Sequence, residues 1–209
     1  MRSLRPSFGY RYLKNGPLAL DGCSLTIEPG SRVALLGANG SGKFTLLLHL
    51  NGSLRPESGT VSLSAEPQGY NRSALRACRR EAAIAVMSPC VLMLDEPTAG
   101  LDPAGVSEVL DLLDRLHVSG TSIVLSTHDI DLAASWASSI AVLHEGKVLA
   151  SGEQALLSDP ELVATARLRR PSVAVVWEAM PIAARPARCP RSVEELAAWM
   201  RTQSSDVPT

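Results

Sequence analysis

The chain has 209 residues, enough for one substantial domain or for one domain with an appendage. Twenty basic residues against 21 acidic ones leave a net charge of -1, so bulk electrostatics give nucleic acid no reason to bind. The four cysteines, Cys23, Cys78, Cys90 and Cys189, stand far apart with no Cys-x-x-Cys pair, which argues against a zinc site or disulfide framework and fits a reducing cytoplasm.

The first residues, "MRSLRPSFGYRYLKNG", lack the apolar run of a signal peptide. No segment approaches the ~18 apolar residues of a membrane span, so any membrane contact is expected to run through partners. "SFGYRY", "CSLTI" and "GTVSL" alternate like exposed antiparallel strands, with turns at Asn15-Gly16-Pro17 and Glu28-Pro29-Gly30. They predict a small β layer beside the core. Four apolar runs read as buried strands: 32–37, 91–95, 122–127 and 140–150, the last folded over Glu145-Gly146. Between the second and third, Val106, Val109, Leu110, Leu113 and Leu116 share one face of a helix over 103–118. Asp102 is its N-cap, Pro103 its first residue and Gly120 its terminator. Alternating strand and helix imply parallel pairing, hence a three-layer α/β core with ligands at the carboxyl ends of the strands. After Leu168 the chain turns rich in proline and arginine; Ser192-Val193-Glu194-Glu195 reads as a capping box for a short helix ending near Met200, and "TQSSDVPT" as a frayed tail.

The chemistry lies where strands end. "GANGSGK", between a strand and a helix, gives Gly37, Gly40 and Gly42 to let backbone N–H groups wrap an anion, with Asn39 and Ser41 between them. Lys43 adds positive charge, and the helix "KFTLLLHLNG" adds its dipole. The strand "VLMLD" delivers Asp95 and Glu96 together, as a magnesium ion and an attacking water would require. "SIVLSTHD" ends a third strand in His128, expected within reach of a terminal phosphate.

The order GANGSGK, LMLDEPTAGLD, STHD resembles the ATP-binding subunit of ABC transporters. The flanking "LLHLNGSLRPESGTV", "HDIDLAASWASSIAVLHEGKVLASG" and "LRRPSV" are similar to its cobalt/nickel energy-coupling-factor branch. The resemblance covers about residues 8–175 and implies an α/β P-loop NTPase core, with residues 1–168 as the nucleotide-binding domain and 169–209 as a C-terminal extension. It further implies ATP and Mg2+ as cofactors. Residues 37–45 become the Walker A loop, with Thr45 on the α-phosphate, Asp95 a magnesium ligand and Glu96 the general base. Gly100, Leu101 and Asp102 become the D-loop, Asp102 facing nucleotide; His128 senses the γ-phosphate, and Tyr12, closing the "YRY" strand, stacks on adenine. The implied role is to energise import of a transition-metal ion such as cobalt or nickel, the alternatives being a non-catalytic nucleotide-binding or dimer-partner module, or an internally deleted gene product without activity of its own. The implied partners are transmembrane transporter subunits and a second ATP-binding subunit in a head-to-tail dimer, at the inner face of the cell membrane.

Two departures qualify that role. Phe44 stands where the family has a serine whose hydroxyl ligates magnesium, so the cradle is expected to bind phosphates while holding the metal badly. The chain also runs from "LRACRR" directly into "EAAIAVMSPCVLMLDEP", without the Q-loop strand, the helical subdomain or the Leu-Ser-Gly-Gly-Gln signature; no Ser-Gly-Gly occurs anywhere. The fold is therefore expected to be internally truncated near 80–81, with an incomplete sheet, a fused helix in "SALRACRREAAIAVM", and impaired ATPase activity.

Overall fold

The computed structural model describes residues 7–63, 66–67 and 90–205. A central five-stranded sheet is ordered β6 (Val91–Asp95), β7 (Ser122–Thr127), β3 (Arg32–Leu36), β8 (Ser139–His144) and β9 (Lys147–Gly152). The first four are mutually parallel and β9 is antiparallel to β8. The parallel strands are buried on both faces, which is why they read as continuous apolar runs.

Side-chain alternation along β3 divides the core. Val33 and Leu35 point into a cluster with Leu46, Leu47 and Leu50 of α1 (Lys43–Leu50) and with Leu20 and Cys23 of β2 (Leu20–Ser24). Ala34 and Leu36 point the other way, toward Leu113 of α2 (Pro103–Val118) and Leu132 and Trp136 of α3 (Ile130–Trp136). Helix, sheet and helix form the three layers expected from the alternating pattern.

Several predicted elements keep their bounds, β6, β7 and α2 among them. Asp102 caps α2 by accepting from Gly105 N at 2.8 Å. At the other end Gly120, at φ 98°, closes a Schellman motif: its N–H reaches His117 O at 2.8 Å, and Thr121 N reaches Leu116 O at 3.1 Å. Glu145 and Gly146 both take positive φ, 46° and 77°, the twist a tight β8–β9 hairpin requires.

The small β layer differs from expectation. β1 (Ser7–Tyr10) pairs antiparallel with β2, which begins at Leu20 rather than Cys23 because Asp21 N and Cys23 Sγ both donate to Gly146 O, at 2.9 Å each, tying the segment to the β8–β9 turn. Of "GTVSL" only β4 (Ser62–Leu63) is strand, and it pairs with β5 (Glu66–Pro67), not with β1 or β2. Two separate two-stranded sheets replace one layer. Glu57 N, donating to Gly9 O at 3.2 Å, links the loop before β4 to β1.

Among the described residues β6 pairs only with β7 and forms one edge of the sheet. The expected fused helix over 73–87 lies outside the described residues. Beyond α4 (Pro160–Thr165), the C-terminal segment packs onto the core. Val173 and Ala174 of α5 (Ser172–Ala179) and Leu196 of α6 (Val193–Ser205) are buried. Asp131 accepts from Ser172 N at 2.6 Å and Ser172 Oγ at 2.8 Å, and Arg191 donates to Ala137 O. Ser192 caps α6 by accepting from Glu195 N at 3.2 Å, while Glu195 accepts from Arg191 N at 2.7 Å. The helix runs on to Ser205, past the expected end at Met200, because no glycine or proline stops it.

Candidate functional site

Gly37 through Gly42 join the end of β3 to the first turn of α1. A Cβ on Gly37 would run into the Leu143 carbonyl oxygen, and one on Gly42 would come within 2.9 Å of Ala19 O. Gly42 caps α1 at φ 103° and Gly40 stands at φ 80° beside open space, so only glycine gives the loop this path without strain. Asn39 and Gly40 lie exposed at the crest. Ser41 Oγ is buried and has no hydrogen-bond partner.

Lys43 is 7% exposed. Carbonyls partner its ammonium in that setting: Nζ donates to Gly37 O at 2.7 Å and Ala38 O at 3.3 Å, and lies 3.9 Å from Glu96 Oε1. Asp95 ends β6 exposed, accepting from Ser126 Oγ of β7. Glu96 follows with φ 47°, a conformation unusual for a non-glycine residue, held by its N–H donating to Ser126 O at 3.0 Å. That twist turns the carboxylate toward the loop, where Oε2 accepts from His128 Nδ1 at 2.9 Å.

Tyr12 lies beyond the end of β1 rather than closing it: after a register shift between Phe8 and Tyr10 the last pair is Tyr10 with Leu20, and Ala19 N bonds Tyr10 O at 2.8 Å. The Tyr12 ring is 57% exposed, and its hydroxyl hydrogen-bonds Thr45 Oγ1 at 2.8 Å. It meets Tyr10 edge to face, and Tyr10 meets the buried His49 in the same way. Burial holds the His49 ring below its ordinary pKa, against the opposing hydrogen bond to Thr45 O at 2.7 Å. Asp102 is engaged elsewhere: its side chain caps α2.

The residues brought together are thus the loop, Lys43, Glu96 and His128, with Tyr12 joined through Thr45. Ser126 was not singled out from sequence, although it touches both Asp95 and the backbone of Glu96. Its signal was a serine following the apolar Ile123-Val124-Leu125 run of β7, fully buried in the fold.

A nucleotide's phosphates fit this loop: α1 offers its N-terminal dipole, Lys43 its charge, and Ser41 a buried hydroxyl still without a partner. A magnesium ion fits poorly, since Phe44 gives the helix no oxygen where it follows the lysine, while Thr45 Oγ1, Asp95 Oδ1 and Glu96 Oε2 already hold hydrogen bonds.

A family model for the ABC transporter matches residues 20–85. The cobalt import ATP-binding protein CbiO of Rhodobacter capsulatus is 36% identical, over 76% of this chain and 81% of its own. The energy-coupling factor transporter ATP-binding protein EcfA2 of Methanospirillum hungatei is 34% identical over 78% of this chain, which spans 58% of that relative's length. Among solved structures, cbiO1 from Clostridium perfringens, described as part of the ABC transporter complex cbiONQ, superposes with a TM-score of 0.67 at 26% identity, covering 84% of this chain and 98% of its own. The CbiO alignment runs over 228 positions but engages 76% of 209 residues, about 159, so about 69 of its positions have no counterpart here. The chain belongs to the ABC transporter ATP-binding subunits, among relatives named for energy coupling and cobalt import.

Proposed function

We infer that this chain is an ATP-binding subunit of a membrane ABC importer for a transition-metal ion such as cobalt or nickel. It would act from the cytoplasmic side, bound to transmembrane subunits. The observation that carries the reading is the convergence of Lys43, Glu96 and His128 on one glycine loop, from three strand ends far apart in sequence. In this role the loop and Lys43 hold the phosphates, Tyr12 meets the adenine, Glu96 is the general base and His128 orients Glu96 toward the terminal phosphate. The cobalt-import names of the relatives support the cargo class.

A second reading is favoured by two features of the chain: Phe44 after the lysine, and the lack of any Leu-Ser-Gly-Gly-Gln segment. It makes the chain a nucleotide-binding partner in a head-to-tail pair. Residues 1–168 would offer the loop to an intact second subunit, residues 169–209 would brace the core, and catalysis would rely on that partner. The missing relatives' positions would then belong near 80–81.

The test is calorimetric titration of ATP into the full chain, followed by phosphate release from the chain alone and mixed with an intact homologous ATP-binding subunit. Saturable binding is expected, with any hydrolysis confined to the mixture. An absence of ATP binding would rule out both readings.

A further inference from the structure

We propose that this loop binds adenine nucleotide without a divalent cation, as a standing ligand rather than a substrate; the inference rests on the nucleotide-binding reading above. In glycine-rich loops of this class the residue after the lysine is serine or threonine, and its hydroxyl meets magnesium. Here that residue is Phe44, whose ring is 55% exposed on the first turn of α1.

No neighbour takes the hydroxyl's place. Successive helical side chains point about 100° apart, so Thr45 faces elsewhere: it is 6% exposed and its hydroxyl bonds Tyr12. Asp95 accepts from Ser126, and Glu96 holds His128 with one oxygen while the other lies 3.9 Å from Lys43. Magnesium demands near-ideal octahedral oxygen geometry and gives up its waters reluctantly, so a loop with a benzyl group in that place and one oxygen of each carboxylate already hydrogen-bonded gives it little.

The phosphates lose less. Lys43 is already buried inside the loop, Ser41 Oγ is buried without a partner, and the backbone N–H groups and helix dipole need no metal. Without an ion to bridge the β- and γ-phosphates, transfer to water lacks the charge neutralisation it depends on. The nucleotide then serves to order the loop and the face around it.

The experiment is titration of ATP into the full chain in excess magnesium chloride and again in excess chelator. Affinities within about threefold of each other are expected; tightening by magnesium of about tenfold or more would overturn the inference while leaving nucleotide binding intact. No binding in either condition would instead remove the nucleotide-binding reading and this inference with it. In parallel, Phe44→Ser, an exposed change whose folding is checked by thermal melting, is expected to bind ATP about tenfold more tightly with magnesium than with chelator. A variant still indifferent to magnesium would show that Phe44 does not set the property.

Discussion

Glu96 Oε2 accepts a hydrogen bond from His128 Nδ1 at 2.9 Å, joining the ends of two neighbouring parallel strands across 32 residues of chain. Because the other carboxylate oxygen lies near Lys43, one side chain ties the phosphate loop to both strand ends. Glu96→Gln keeps the shape and removes the base. Any ATP turnover at this loop, measured as phosphate release in the mixture with an intact subunit, is expected to fall ~10²-fold or more, with binding spared. Unchanged turnover would remove Glu96 from the chemistry.

Lys43→Ala is expected to weaken ATP binding by about 100-fold or more, because charge-assisted bonds to phosphate have no replacement in the backbone N–H groups alone. Calorimetry checks it. Equal affinity in variant and parent would place the nucleotide somewhere other than this loop.

Tyr12 offers a way to separate base recognition from phosphate recognition. Tyr12→Ala removes the exposed ring and is expected to lower ATP affinity by about tenfold while leaving inorganic triphosphate unaffected; Tyr12→Phe, which loses only the bond to Thr45, is expected to change ATP affinity by about threefold or less. Competition titrations with both ligands decide it. Parallel losses for ATP and triphosphate in Tyr12→Ala would mean that the ring supports the loop and does not meet the adenine.

Gly42→Ala introduces a Cβ within 2.9 Å of Ala19 O, at a φ of 103° that side chains rarely adopt. The expected destabilisation is about 1–3 kcal/mol, read as a lower melting temperature. A melting temperature equal to the parent's would show that the α1 N-terminus relaxes more easily than its packing implies.

His49 sets an acid limit to stability. Burial lowers its pKa in the folded protein, so the unfolded chain takes up the proton first as the pH falls through the ordinary value of 6.5. Stability from this group is therefore complete above that pH and declines below it. His49→Gln, which cannot titrate, is expected to flatten the loss of melting temperature between pH 7 and about pH 5. An unchanged slope would assign the acid sensitivity to other groups.

Short-range physics made much of this protein legible from its residues. The glycine spacing and Lys43 announce a phosphate loop, continuous apolar runs locate β6 and β7, and Asp102, Pro103 and Gly120 bracket α2, because capping, backbone conformation and strand burial are each settled within a few residues. Phe44 likewise shows in the sequence alone that the helix lacks an oxygen after the lysine. Tertiary structure decided which of the remaining oxygens are already engaged. Ser126 meets Asp95 because β6 and β7 lie in a register that sets those two residues opposite each other, and Tyr12 reaches Thr45 because the β1–β2 hairpin folds over α1. Strand register follows from packing on both faces of a sheet, and hairpin position from a turn elsewhere in the fold. Neither leaves a mark in the pattern of any one segment.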